Sequence, residues 1–313
     1  PTYLIGNGSY VSKTMSEGTN APSGVQLTYW LRDSVRGELT LEIVDQKDSV
    51  IRRFSNLKTD ASDDRKPNTE TFESVPERRS GSVLPTRTGM NRFTWDMKLK
   101  GVSKVNDAVY WFGGPGGISV PPGRYRAVLR SGNESAGTSF VIVKDPRLET
   151  TDGDFEQQYD LGSRIVEKAE RVNTTINAIA ELSRQVTAWE ARARDAADSA
   201  TAAKVKVLAA SINDSLSRIE KALIERRAKA GQDALNYPLR LNNKILALKS
   251  TVYSGDARPT RQSYEVFSDL SRRIDELIAA YERIRDTQIA AFNAFVKSSD
   301  IPAVVLPKKP NAR

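Results

Sequence analysis

The feature that most constrains this chain is a change of hydrophobic period near residue 150. Before it, apolar residues alternate in short runs bounded by turn residues, the spacing of half-buried strands. After it they advance by threes and fours, the spacing of amphipathic helices. A chain built this way folds as two different layers of structure, sheet first and helices second.

Six runs carry the strand period: "GVQLTYWL" (24–31), "ELTLEIVD" (38–45), "SVIRRFS" (49–55), "NRFTWDMKL" (91–99), "GRYRAVLRSG" (123–132) and "GTSFVIVKD" (137–145). Val25, Leu27, Tyr29 and Leu31 share one face of the first, and Tyr125, Ala127 and Leu129 one face of the fifth. Short strands at this density predict an antiparallel β-sandwich of the immunoglobulin or fibronectin kind over residues 24–148. Residues 1–23 are an N-terminal extension, and 57–88 form a long polar, Pro-punctuated loop with no period, expected to be disordered or a binding segment.

The helical half predicts an antiparallel four-helix bundle over 149–298, followed by a tail at 299–313. Ile165, Ala169, Val172, Ile176, Ile179, Val186 and Trp189 form the first stripe. Val205, Leu208, Ile212, Leu216, Ile219 and Leu223 form the second, after a turn within "ARDAADSATAAK" (193–204). The third is expected to start with Pro238 in its first turn and to continue through Leu241, Ile245, Leu248 and Val252. The fourth runs from Tyr264 through Phe267, Leu270, Ile274, Leu277, Tyr281, Ile284, Gln288 and Ala291 to Phe295, with Pro259-Thr260 as its start.

Composition narrows the chemistry. The 313 residues include no Cys and no His, which removes thiolates, disulfides, imidazole bases and Cys/His zinc sites. The net charge of +8 divides as +5 for residues 1–148 and +3 for the rest, a mixed surface that gives no concentrated basic face for nucleic acid. No apolar run is long enough to span a membrane. A chain that starts at Pro1 is expected to be a processed product or a fragment.

"YWFGGPGGISVPPGRYRAVL" (110–129) is the one stretch that resembles a ligand cradle. Gly113-Gly114-Pro115-Gly116-Gly117 lacks the Lys-Ser/Thr and the following helix of a P-loop, and Ser119 stands where a dinucleotide fingerprint needs Gly. No cofactor is expected. Tyr110, Trp111 and Phe112 are consecutive, so on an extended strand at least one ring leaves the core, to meet the helices, a partner protein or a sugar.

Among carboxylates, Asp63-Asp64 lies in the polar loop and nothing pairs with it across a cleft. Asp152-Gly153-Asp154-Phe155-Glu156 is explained by acids favoured in a first helical turn, and it lacks the remaining ligands of a calcium loop. No catalytic or metal-binding residue is assigned.

"GMNRFTWDMKLKG" (89–101), "PPGRYRAVLRSG" (121–132) and "VKDPRLETT" (143–151) resemble the C-terminal region of large exported bacterial proteins. Those carry an N-terminal β-propeller of BNR or sortilin-like repeats and are often labelled glycosyl hydrolase-like. The motif residues are Asn91, Arg92, Trp95, Asp96, Gly123, Tyr125, Asp145, Pro146 and Arg147, and the W-D and P-G-x-Y pieces are also similar to the immunoglobulin-like module of flagellar hook-capping proteins. "LNNKILAL", "ARPTRQSYEVFSDLSRRID" and "AAFNAF" extend the resemblance into the helices. It implies a periplasmic or cell-surface scaffold that supports a propeller or docks onto a larger assembly, with Trp95 as a core anchor and Asn91 and Asp96 satisfying turn amides. The rival expectations are a carbohydrate-binding module on Tyr110, Trp111 and Phe112, and an accessory half of a propeller enzyme that uses the 57–88 loop.

Overall fold

A computed structural model describes residues 2–4, 10–12, 24–57 and 83–302. The chain is α+β, with antiparallel sheets followed by long helices. Most of the 57–88 loop, Asp63-Asp64 and most of the tail lie outside the described residues.

The strands are β1 (Thr2–Leu4), β2 (Tyr10–Ser12), β3 (Val25–Leu31), β4 (Leu39–Val44), β5 (Val50–Ser55), β6 (Gly89–Trp95), β7 (Gly123–Ser131) and β8 (Glu134–Ile142). β1 and β2 pair with each other, β3 pairs with β6, and a four-stranded sheet runs β5-β4-β7-β8, every neighbour antiparallel. All six alternating runs of the sequence are strands. Leu27 and Phe93 from one sheet and Leu41, Ile43 and Ala127 from the other enter a single buried cluster around Trp95, which is 0% exposed. The Trp95 ring lies edge-on to Tyr125 and Phe140, each 6.2 Å away between centroids. Leu84, at the far end of the polar loop, is also buried there, and its N–H bonds the Ser55 carbonyl.

The helices are α1 (Asp152–Ala196), α2 (Ser199–Leu223), α3 (Leu241–Val252), α4 (Arg261–Ile284) and α5 (Ala290–Ser298). α1 opens on a reciprocal cap in which Asp154 accepts from the Thr151 N–H and hydroxyl while its own N–H bonds the Thr151 hydroxyl. Asp198 caps α2 by accepting from the N–H groups of Ala200 and Thr201, which places the turn inside the Asp- and Ala-rich stretch. Thr260 caps α4 through the Ser263 N–H.

Two helical expectations need correction. Pro238 precedes α3 instead of opening it: the helix begins at Leu241, and Arg240 is extended, with its guanidinium on Glu225 at 3.2 Å. The fourth stripe also changes phase. Between α4 and α5 the backbone widens for one turn over Arg285–Ile289, and this extra residue shifts the inward position from Ala291, which is exposed, to Phe292, which is buried.

The chain divides into two compact units at places the period change does not mark. One comprises Pro1–Lys100 with Gly117–Tyr159, and the other Gly101–Gly116 with Asp160–Arg313. The middle of the β6–β7 connection therefore belongs to the helical unit.

Candidate functional site: the glycine-rich segment on the helical unit

Residues 101–116 form no strand or helix, so their backbone polar groups must find partners elsewhere. Val102 and Val105 join the buried core of the helical unit, and Ala108 and Tyr110 pack against it. Polar side chains of α1 and of the turn after α2 then bond the segment's backbone. Glu170 accepts from the Ser103 N–H at 2.5 Å and from its hydroxyl at 2.6 Å. Asn173 donates to the Ser103 carbonyl at 2.7 Å, Asn177 to that of Lys104 at 2.9 Å, and Arg226 to that of Asn106 at 2.7 Å.

α3 carries the other half of the attachment. The Asn243 amide closes a ring with Trp111, accepting from its N–H at 3.0 Å and donating to its carbonyl at 2.8 Å. Lys249 is 7% exposed, and its ammonium donates to the Gly114 carbonyl at 2.6 Å and to the Gly116 carbonyl. A phosphate cradle turns N–H groups toward an anion. Here the glycine run turns carbonyls toward a cation of the same chain, so the loop works as a socket for an internal lysine.

Gly113 makes the close approach feasible. Its φ is +151°, and a Cβ there would sit 2.6 Å from the Leu246 carbonyl oxygen in α3. Gly113→Ala is expected to lower stability by about 1–3 kcal/mol, read from urea denaturation, because backbone must move to admit one methyl. An unchanged midpoint would show that the approach is loose.

The aromatic trio is divided by this attachment. Tyr110 is packed on the helical core; burial raises its phenol pKa, offset in part by the Asn173 amide and the Arg226 charge. Trp111 is half-buried beside Tyr237 and Pro238, in a crevice of about 20 Å³, the space of a single water. Phe112 has φ +50° and is 75% exposed, its ring 5.2 Å from Trp111 and edge-on. The three are not on one strand, and only one ring faces solvent broadly.

At the crevice, the Arg227 guanidinium, with Arg240 beside it, lowers the Glu225 pKa from 4.5 to about 2. A carboxyl depressed on folding contributes stability that is full above its unfolded pKa and is lost as pH falls through the folded one. Stability is therefore expected to decline between pH 4.5 and 2, and Glu225→Gln to flatten that part of the profile. An identical acid limb in the variant would remove Glu225 as its source.

The motif residues sit in the sheet unit. Asn91 is buried, accepting from the Arg87 N–H at 3.1 Å and donating to the Arg87 and Gly89 carbonyls. Trp95 Nε1 donates to the Lys98 carbonyl at 3.0 Å, and Asp96 accepts from the Lys98 N–H at 3.1 Å. Arg92 is exposed opposite Thr28. Gly123 opens β7, and the Tyr125 hydroxyl donates to the Pro121 carbonyl at 2.7 Å, burial pushing its pKa up to about 12. Asp145 holds Arg147 through a bidentate pair that lowers its own pKa, with Pro146 exposed between them.

Among the described residues no group of three or more carboxylates is placed to hold a metal ion, and no helix is long and apolar enough to cross a membrane. Comparison with known protein families, curated proteins and solved structures finds no match.

Proposed function

We propose that this chain is a non-catalytic interaction module of an exported bacterial protein, an immunoglobulin-like sandwich followed by a four-helix bundle, which supports a β-propeller or docks onto a larger cell-surface assembly. The strand order favours the sandwich: β3-β6 corresponds to a B–E pair and β5-β4-β7-β8 to a C′-C-F-G sheet. Tyr125 at the start of β7, bonded four residues back to Pro121, has the place and the bond of a tyrosine corner on strand F.

The observation that carries docking is an exposed apolar pair. Trp30 is 68% exposed and Met90 69%, and the two are direct partners in the β3–β6 register, on the face that alternates with the core residues. Cross-strand apolar neighbours left in water mark protein contact surfaces. A photo-crosslinker at position 30 is expected to trap one defined protein in envelope fractions, and a crosslinker at exposed Glu134 to trap none. Turnover of a glycan or peptide by the purified chain, abolished by Asp96→Asn, would overturn the non-catalytic reading.

A glycan-binding reading retains one observation, the exposed Phe112 ring against Trp111. It predicts glycan-array binding that Trp111→Ala removes; a flat array disposes of it.

A further inference from the structure

Arginines of the helical unit are almost all engaged. Most reach a carboxylate, as Arg171 reaches Asp275 and Arg272 reaches Asp269 and Glu276, and Arg192 lies over the Trp189 ring. Two differ. Arg218 on α2 reaches only the Asp214 carbonyl at 3.4 Å and the Ser215 hydroxyl at 3.3 Å, and the Arg283 guanidinium on α4 has neither a hydrogen bond nor an ion pair among the described residues.

Both line the same groove. It has a volume of about 370 Å³, a floor of Ile219, Ala280 and Ile284, and Gln288 at one end, inside the widened turn between α4 and α5. The Gln288 side-chain oxygen is buried and has no hydrogen-bond partner among the described residues. Widened turns of this kind recur at functional sites, whereas the Gln288 oxygen is an acceptor and calls for a donor, so an anion here would be held by the two guanidinium groups alone.

We propose that this groove binds a small organic oxyanion, a carboxylate or phosphate monoester, with its charge between Arg218 and Arg283 and its apolar body on the isoleucine floor. Guanidinium groups without carboxylates are free to form charge-assisted bonds to such an anion. The volume is that of a small-molecule site. The apolar floor covers about one helical turn on each wall, too little for a docked helix, which would have to bury on the order of 800 Å².

Calorimetric titration of the full chain with phenyl phosphate and with inorganic phosphate tests this. Phenyl phosphate is expected to bind roughly tenfold tighter than phosphate, from burial of its ring. The double variant Arg218→Gln/Arg283→Gln is expected to lose at least about tenfold in affinity for both, with its thermal melt unchanged because both side chains are exposed. Amide shifts on titration should centre on residues 215–219 and 280–289. Undiminished binding by the variant, equal binding of the two probes, or binding only by a Glu-rich helical peptide would overturn the proposal, the last in favour of a protein-docking face.

Discussion

Lys249→Met is expected to destabilise the protein by about 2–4 kcal/mol, although the substitution shortens the side chain by only one atom and adds apolar surface in a buried place. The ammonium is the donor for the carbonyls of Gly114 and Gly116, and Met offers none. Two carbonyls would then face a site from which water is largely excluded. Arg is not expected to rescue the loss, since a planar fork does not fit a socket built for a compact ammonium. Hydrogen exchange reads the change by place: amides from Trp111 to Gly116 should exchange faster, and those of β4 and β7 should keep their protection. A uniform loss of protection would mean that Lys249 stabilises the whole molecule and not the segment.

Trp95→Ala is expected to cost about 3–5 kcal/mol, the range for removing a fully buried large aromatic. It removes the edge-on contacts to Tyr125 and Phe140, and it leaves the Lys98 carbonyl without its donor. The near-ultraviolet dichroism of the sheet unit should weaken at the same time. Trp95→Phe should fall between, because it keeps a ring and loses the indole N–H. If Ala and Phe proved equally mild, the core would have to collapse around the cavity without strain.

Periodicity made the strands and the helix stripes legible because both depend on neighbours a few residues apart. Val25 to Leu31 and Ile165 to Val186 announce their buried faces within one window. The segment from Gly101 to Gly116 was not legible in this way, since its partners lie 67 to 135 residues further along the chain. Asn243 and Lys249 look like the solvated side of an amphipathic helix; α3 is instead buried on both its apolar and its polar stripe, the latter against the segment. Only the excess of glycines and the three adjacent rings hinted at a close approach. The phase change after Ile284 had no sequence signal either, because one extra residue in a turn leaves the heptad spacing intact on paper.

Biosynthesis meets the same long separations as waiting time. Ser103 is made 67 residues before Glu170, and Gly116 is made 133 residues before Lys249. At about 5–20 residues per second, the first partner arrives roughly 3–13 s later and the lysine roughly 7–27 s later. The nascent chain can pair β4, β7 and β8 while Val102, Val105 and a set of open carbonyls remain without the helices that receive them. A ribosome that stops before α3 releases a chain whose strand order is complete and whose glycine socket is empty.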